Sequence, residues 1–290
     1  MKKILAIAEQ LPDTPSLALD KALQFAERGN AEVHILSLVY DETFDHPELI
    51  TPEEAEALQQ KLMGQAQTRL EKLIAGKKNV TGEVNWGKNL ADAVEYSCEK
   101  EPRDLIIKTG HRSESLLHRP SDFHLLNLPS TPVMIVSAES WRSKPVVLTT
   151  IDFSSDDADQ MALNDKVLTH AKECAELLDA DLHCCYVVTY SAALADLDMI
   201  NKDEIFRRFK EKQLGKLEEF VGSYGIPPEN LHVKAGKIEK VVPSIANRLK
   251  AELVVLGTHR RKGLARMVLG NSSEKILKIL RTDILAIKPD

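Results

Sequence analysis

A chain of 290 residues is long enough for two domains or one large one. Hydrophobic residues make up 43% and charged residues 28%, which excludes a disordered or membrane-embedded class. A net charge of -6 leaves no basic excess to neutralise a phosphate backbone, so we expect no nucleic-acid partner. The sequence shows no signal peptide or membrane-length apolar stretch, and its four cysteines lack CxxC spacing. We therefore expect no membrane partner and a cytoplasmic location.

The two halves of the chain repeat one pattern. Residues 85–112 run parallel to residues 234–260, and the final apolar segments at residues 130–136 and 281–287 also correspond. The repeat predicts two copies of one domain, at residues 1–138 and 144–290. A short polar link joins them.

Within each copy, short apolar runs alternate with segments of helical periodicity. This pattern predicts an α/β fold in which each domain is an open, five-stranded parallel sheet with four helices. The predicted strands of the second copy are residues 146–151, 182–188, 231–235, 252–256 and 284–287. Apolar residues at helical spacing follow the first and third of these strands, and they are Leu163, Val167, Leu168, Ala171, Ala175, Leu178, Val241, Ile245 and Leu249.

The loop after the fourth strand of the second copy carries the most informative motif. It begins at Gly257, and near its end Gly270 is followed by Asn271, Ser272 and Ser273 at the start of a helix. Free amides and hydroxyls at a helix start favour a phosphate, although the same residues could simply cap the helix. Open parallel sheets bind ligands at the carboxyl ends of their strands, which favours the phosphate interpretation.

These residues resemble the universal stress protein family, whose nucleotide-binding members carry Gly, two residues, Gly, nine residues, Gly and then Ser or Thr. Gly257 and Gly270 match the first and third glycines, whereas Arg260 and Asn271 stand at the other two positions. The resemblance spans the chain as two tandem domains and implies a Rossmann-like fold of the adenine nucleotide alpha hydrolase type. It implies ATP, with Mg²⁺, in the second domain. The residues implied to bind it are Asp152, Val187 or Val188, Leu256, Gly257, Arg260, Gly270, Asn271, Ser272 and Ser273.

The first copy departs from the motif at the same loops. Its region corresponding to Gly270, residues 118–122, contains a proline and no glycine. Proline removes an amide that a phosphate would use, so we expect no nucleotide site there. This domain is then either a structural partner or a pocket for another ligand. The family resemblance also implies that the two domains form an intramolecular pseudo-dimer through their final strands, with a further homodimer as an option.

Several residues keep two interpretations. Asp152 either bonds an adenine or ribose or caps the following helix, and the basic loop around Arg260 either steers phosphate or is simply solvated. His111 and His259 recur at equivalent positions, either for proton transfer or to shape a loop. Residues 183–185, His-Cys-Cys, suggest either a metal or buried cysteines, and alternation along a strand favours burial. We expect no metal site.

The chain contains no phosphate loop, dinucleotide fingerprint, HExxH helix or GxSxG elbow. No catalytic residues are therefore assigned, and any ATP hydrolysis is expected to be slow. Two functions stay open at this point. The first is a stress-response regulator that binds an adenine nucleotide in its second domain. The alternative is a protein that binds another small ligand, or an interaction scaffold, with a degenerate nucleotide site.

Overall fold

The computed structural model describes residues 1–8, 16–110, 125–126, 131–137, 141–191, 201–258, 275–276, 279–280 and 282–289. The chain divides into two compact units. They are an N-terminal unit, Met1–Val136, and a C-terminal unit, Ser137–Asp290.

The N-terminal unit is a parallel sheet with the strand order β3-β2-β1-β4-β5. Its elements in chain order are β1 (Lys3–Ile7), α1 (Leu17–Gly29), β2 (Glu32–Val39), α2 (Pro52–Ile74), β3 (Val80–Trp86), α3 (Leu90–Lys100), β4 (Leu105–Thr109) and β5 (Val133–Val136). A 3-10 turn at Glu42–Asp45 follows β2.

The C-terminal unit repeats this order as β8-β7-β6-β9-β10, again with every pair parallel. Its elements are β6 (Val146–Ile151), α4 (Ala158–Leu178), β7 (Asp181–Val188), α5 (Lys202–Lys212), α6 (Leu214–Gly222), β8 (Leu231–Ala235), α7 (Ile238–Leu249), β9 (Leu253–Gly257) and β10 (Asp283–Ile287). The predicted α/β fold with parallel sheets is confirmed.

The inner strands of each sheet are largely buried, which explains their continuous apolar runs. Leu148 on β6, Val254 on β9 and Leu285 on β10 are completely buried. The predicted apolar stripe on α4 is also buried, from Leu163 to Leu178. Because the inner strands are buried along their length, polar groups of the sheet that can meet a ligand lie at the strand ends.

Local sequence signals fix where the helices begin. Thr51 forms a capping box with Glu54 at the start of α2. Asp157 caps α4, and its side chain accepts a hydrogen bond from the backbone N–H of Gln160 at 3.2 Å. The helix-capping interpretation of Asp152 is therefore wrong, because Asp157 is the N-cap of α4.

The connection between β7 and β8 differs from the single helix expected there. Its described residues 201–230 contain two helices, α5 and α6, separated at Gln213, whose φ of -128° leaves the helical region. The break lets each helix bury its own apolar residues. Phe209 of α5 packs against Tyr186 of β7, whereas Leu217 and Val221 of α6 are completely buried.

A short segment ahead of β6 is tied to the rest of the C-terminal unit. Ser137 and Trp141 both donate hydrogen bonds to the buried carboxylate of Asp283 at the start of β10. Arg142 pairs with Glu252, which also accepts from the backbone N–H of Val146 at 2.8 Å. These charged contacts hold the entry to β6 against the amino ends of β9 and β10.

Candidate functional site

A cleft of about 220 Å³ opens at the carboxyl ends of β6, β7 and β9 in the C-terminal unit. The central strand β6 has β7 on one side and β9 on the other, so the strand order reverses at this point. Ligands of open α/β sheets bind in the crevice at such a reversal. The position of the cleft is therefore the one at which this fold class binds small molecules.

Asp152 lies in the cleft directly after β6. Its Oδ1 accepts hydrogen bonds from the backbone N–H of Ser154 at 3.0 Å and from the Ser154 hydroxyl at 2.6 Å. The described residues donate no hydrogen bond to its Oδ2. An ionised carboxylate only accepts hydrogen bonds, so Oδ2 offers an acceptor to a ligand that carries an N–H or O–H group.

Asn164 holds the backbone of Asp152 from α4. Its side-chain Nδ2 donates to the Asp152 carbonyl oxygen at 2.7 Å, and its Oδ1 accepts from the Asp152 N–H at 3.2 Å. The side chain of Gln160 also donates to this Oδ1, at 3.1 Å. Asn164 is 2% exposed, so its amide is a buried polar group. The backbone of Asp152 and the side chain of Gln160 satisfy its hydrogen bonds.

The remaining described lining is mostly apolar and comes from both faces of the sheet. Residues of this kind are Leu163 and Val167 of α4, Val187 of β7, Ile238 and Val242 of α7, and Leu256 of β9. Tyr186 also lines the cleft, where burial, followed by the nearby Asp152 carboxylate, raises the pKa of its phenol to about 12. Tyr186 is therefore neutral near pH 7. An apolar cleft with one carboxylate suits a flat, largely apolar group with a hydrogen-bond donor at its edge.

Gly257 ends β9 with its Cα directed at α4. A Cβ at this position would lie 3.1 Å from Leu163 Cδ2 and 3.3 Å from Val167 Cγ2. These distances are shorter than ordinary van der Waals contacts between carbon atoms. Packing against α4 therefore favours a small residue at this position, independently of any ligand.

The structure describes five of the predicted site residues. Asp152, Val187, Leu256 and Gly257 all line the cleft, while Val188 does not. Of the two valines left open by the sequence, Val187 is therefore the one at the cleft. Arg260, Gly270, Asn271, Ser272 and Ser273 lie outside the described residues, as do His111, His259 and residues 118–122.

Sequence reasoning missed three polar residues that build the cleft, Ser154, Gln160 and Asn164. The signal for Ser154 was available, because a serine two residues after an aspartate is typical of a turn closed by the carboxylate. Asn164 gave a weaker signal. It interrupts the apolar stripe of α4 at a position adjacent to Leu163, and a buried amide inside a helix requires a partner outside it.

The N-terminal unit has different residues at the equivalent positions. When the repeat is aligned, Lys108 of β4 is equivalent to Leu256 of β9, and Thr109 is equivalent to Gly257. The Thr109 hydroxyl accepts from the backbone N–H of Ala18 at the start of α1, 3.2 Å away. Lys108 is 4% exposed, and its ammonium donates to the Thr109 carbonyl at 2.9 Å. A hydroxyl and a buried cation thus replace the glycine and the apolar wall.

The histidine and cysteines at residues 183–185 do not form a metal cluster. Cys184 and Cys185 are buried free thiols, and burial raises the pKa of Cys185 to about 12. The ring of His183 meets that of His232 on β8, with Nδ1 and Nε2 3.1 Å apart. Within the described part of the chain, no group of three or more His, Cys, Asp or Glu side chains could hold a metal ion.

None of the helices in the described ranges has a segment long and apolar enough to cross a membrane.

Residues 147–288 match the profile of the Universal stress protein family. This range covers the sheet of the C-terminal unit and its cleft.

Curated relatives resemble the whole chain. Universal stress protein E of Escherichia coli K12 is 28% identical over 284 residues, covering 94% of this chain and 90% of that protein. The Universal stress protein E homolog of Haemophilus influenzae is 28% identical over 288 residues, covering 94% and 93%.

Solved structures share the fold over the full length. A functionally unknown protein of Pseudomonas aeruginosa PAO1 superposes with a TM-score of 0.73 at 25% identity, covering 100% of this chain and 93% of that one. A universal stress protein of Archaeoglobus fulgidus gives a TM-score of 0.65 at 17% identity, which shows the fold alone. Residues 147–288 therefore form a domain of the universal stress protein family, and the chain as a whole is similar to Universal stress protein E.

Proposed function

We propose that the protein is a stress-response regulator that binds ATP in the cleft of its C-terminal unit. Membership of the universal stress protein family supports the stress-response role. The observation that carries the nucleotide proposal is the Asp152 carboxylate, whose Oδ2 receives no hydrogen bond from the described residues, beside the apolar walls of the cleft. Adenine has both features that such a site requires, because it is flat and apolar on its faces and carries an exocyclic amino group at its edge.

The phosphates are assigned from the sequence. In the proposed complex, the amides and hydroxyls of Gly270, Asn271, Ser272 and Ser273 surround them, with Arg260 contributing charge. Mg²⁺ would accompany ATP as a counter-ion to the phosphates rather than as a resident metal. No residue is proposed to act as a general base or nucleophile at this site, so we expect ATP to bind and to be hydrolysed slowly at most.

The differences between the units support a site in the C-terminal unit alone. The buried Lys108 would set a cation where the C-terminal unit has the apolar Leu256. Thr109 stands where the C-terminal unit has Gly257, and its hydroxyl bonds the start of α1 instead of leaving the position to the side chains of the helix. The N-terminal unit therefore lacks two of the features that suit the cleft to an adenine ring.

The test is a calorimetric titration of ATP into the full chain and into two matched variants. Asp152→Ala removes the carboxylate from the cleft, and we expect it to weaken ATP binding by at least about tenfold, since hydrogen bonds to charged groups are worth roughly 1.5 to 3 kcal/mol. Asp156→Ala removes an exposed carboxylate four residues away and should bind ATP as the wild type does. Equal affinities of the wild type and Asp152→Ala would refute the proposed role of the cleft.

A further inference from the structure

We infer that Asn164 is the positioning residue that makes the cleft select adenine over a 6-oxopurine such as hypoxanthine. This inference rests on the proposed function, and it assigns a role to a residue on α4, twelve positions beyond the aspartate. Asn164 acts through Asp152, because its amide is buried and bonds the backbone of that residue at both ends.

Both backbone groups of Asp152 depend on this one side chain. The Asp152 N–H donates to Asn164 Oδ1 and the Asp152 carbonyl accepts from Asn164 Nδ2. Gln160 donates to the same Oδ1 at 3.1 Å, which fixes the amide orientation. The backbone of the residue that carries the carboxylate is thus anchored to a helix rather than to a free loop, and such anchoring fixes functional groups more closely than loop residues alone.

The carboxylate is then held with one oxygen directed away from its own turn. Ser154 saturates Oδ1 through its N–H and its hydroxyl. Oδ2 can accept only from a donor, and adenine presents an amino group where hypoxanthine presents a carbonyl oxygen. Two acceptors repel each other, so a fixed carboxylate rejects the 6-oxopurine, whereas a carboxylate free to move away would tolerate it.

The described first helix of the N-terminal unit offers no equivalent of Asn164. The buried residues of α1 are Ala18, Leu19, Lys21, Ala22 and Phe25, and none of them carries an amide side chain. Among the described residues, the buried amide that bonds the backbone after a first strand is found in the C-terminal unit, where the apolar cleft also lies.

The experiment compares the affinities of ATP and inosine triphosphate for the full-length wild type and for Asn164→Asp between about pH 8 and about pH 5.5. Aspartate has the shape of asparagine and keeps an acceptor for the Asp152 N–H, but when ionised it has no donor for the Asp152 carbonyl. At the upper pH we expect the ratio of the two affinities to fall about tenfold relative to the wild type. Burial raises the pKa of a carboxyl group, so the variant should gain a proton, and with it a donor, as the pH falls. The ratio should then recover toward the wild-type value.

A matched control carries the same change at an exposed helix position. Asn247 lies on the exposed side of α7, and Asn247→Asp should keep the wild-type ratio at every pH. A purely structural defect at residue 164 would lower both affinities together and leave their ratio unchanged. If Asn164→Asp does not fold, Gln160→Ala, which removes the bond to Asn164 Oδ1, should lower the ratio in part.

The outcomes separate the two claims. Wild-type protein that binds neither nucleotide refutes the proposed function and with it this inference. Wild-type protein that prefers ATP, together with an Asn164→Asp variant that keeps the same preference at about pH 8, refutes the role of Asn164 alone. A lowered ratio that does not recover at about pH 5.5 also refutes it, because the missing donor would then not be the cause.

Discussion

Gly257 and Thr109 occupy equivalent positions, each at the end of the fourth strand of its unit, yet they contact the first helix of the unit differently. Thr109 bonds the N-terminus of α1 through its hydroxyl, at 3.2 Å from the Ala18 nitrogen. Gly257 has no side chain, and a Cβ there would crowd Leu163 and Val167 of α4. The contact between the end of the fourth strand and the first helix thus differs between the two units: a side-chain hydrogen bond in the N-terminal unit and close packing against a glycine in the C-terminal unit.

Gly257→Thr should therefore push Leu163 and Val167 and narrow the cleft. We expect ATP affinity to fall, because both displaced side chains line the cleft and would reduce its volume, and the folded state should also be destabilised by roughly 1 to 3 kcal/mol through overpacking. Gly215→Thr is the control, because nothing lies within 4 Å of a Cβ at Gly215. Circular dichroism checks the fold, and titration calorimetry measures the affinity. Full ATP affinity in a folded Gly257→Thr variant would contradict the packing argument.

The histidine pair makes stability depend on pH. Burial, then His183, Arg248 and Lys234, lower the pKa of His232 to about 4, and burial also lowers the pKa of His183 in spite of nearby Asp181. The unfolded histidines titrate near pH 6.5, so the unfolded chain binds more protons below that pH. The contribution of His232 is complete above about pH 6.5 and is lost as the pH falls toward 4.

We expect the urea midpoint of the wild type to fall between about pH 7.5 and about pH 5. His232→Gln should show a smaller fall over the same range, because its neutral amide does not titrate. His46→Gln is the control, since the His46 side chain is 59% exposed and lies on the surface of the other unit. If the urea midpoints of His232→Gln and of the wild type fall by the same amount, protonation of the histidine pair does not cause the loss of stability at low pH.

The contact between Trp141 and Asp283 should contribute measurably to stability. The indole N–H donates to Asp283 Oδ2 at 2.8 Å, and Asp283 is 1% exposed. A double-mutant cycle with Trp141→Phe and Asp283→Ala, each of which removes one partner of the bond, should give a coupling free energy of about 1 kcal/mol or more in chemical unfolding. Additive effects of the two substitutions, within about 0.5 kcal/mol, would show that the hydrogen bond stabilises nothing.

The inner strands of the sheets could be predicted from sequence because they are buried and therefore consist of continuous apolar runs. The segment from Val146 to Ile151 reads as a strand on composition alone, and the structure keeps both of its ends. The sequence predicted that this unit's fourth strand begins at Glu252, whereas β9 begins at Leu253 in the structure. Its carboxylate accepts from Val146 and pairs with Arg142, which requires a position at the strand entrance rather than within the ladder.

The cleft was predictable in position but not in its polar detail. Gly257 and Asp152 were found because they end strands, where this fold class binds ligands. Asn164 was not found, because its partners lie twelve residues earlier, across a turn whose path depends on Ser154 and on the Asp157 cap. The break at Gln213 also gave no local signal, since glutamine is a good helix former.

The most direct test of the account is the number of ATP molecules bound by the full chain. One apolar cleft with an acceptor carboxylate is described in the C-terminal unit, whereas Lys108 and Thr109 stand at the equivalent positions of the N-terminal unit. Calorimetric titration should give one ATP per chain in the wild type, one in Arg119→Ala and none in Gly270→Val, in which a branched side chain replaces the glycine ahead of the residues proposed to bind the phosphates. Two ATP molecules per wild-type chain, or undiminished binding in Gly270→Val, would contradict a single site in the C-terminal unit.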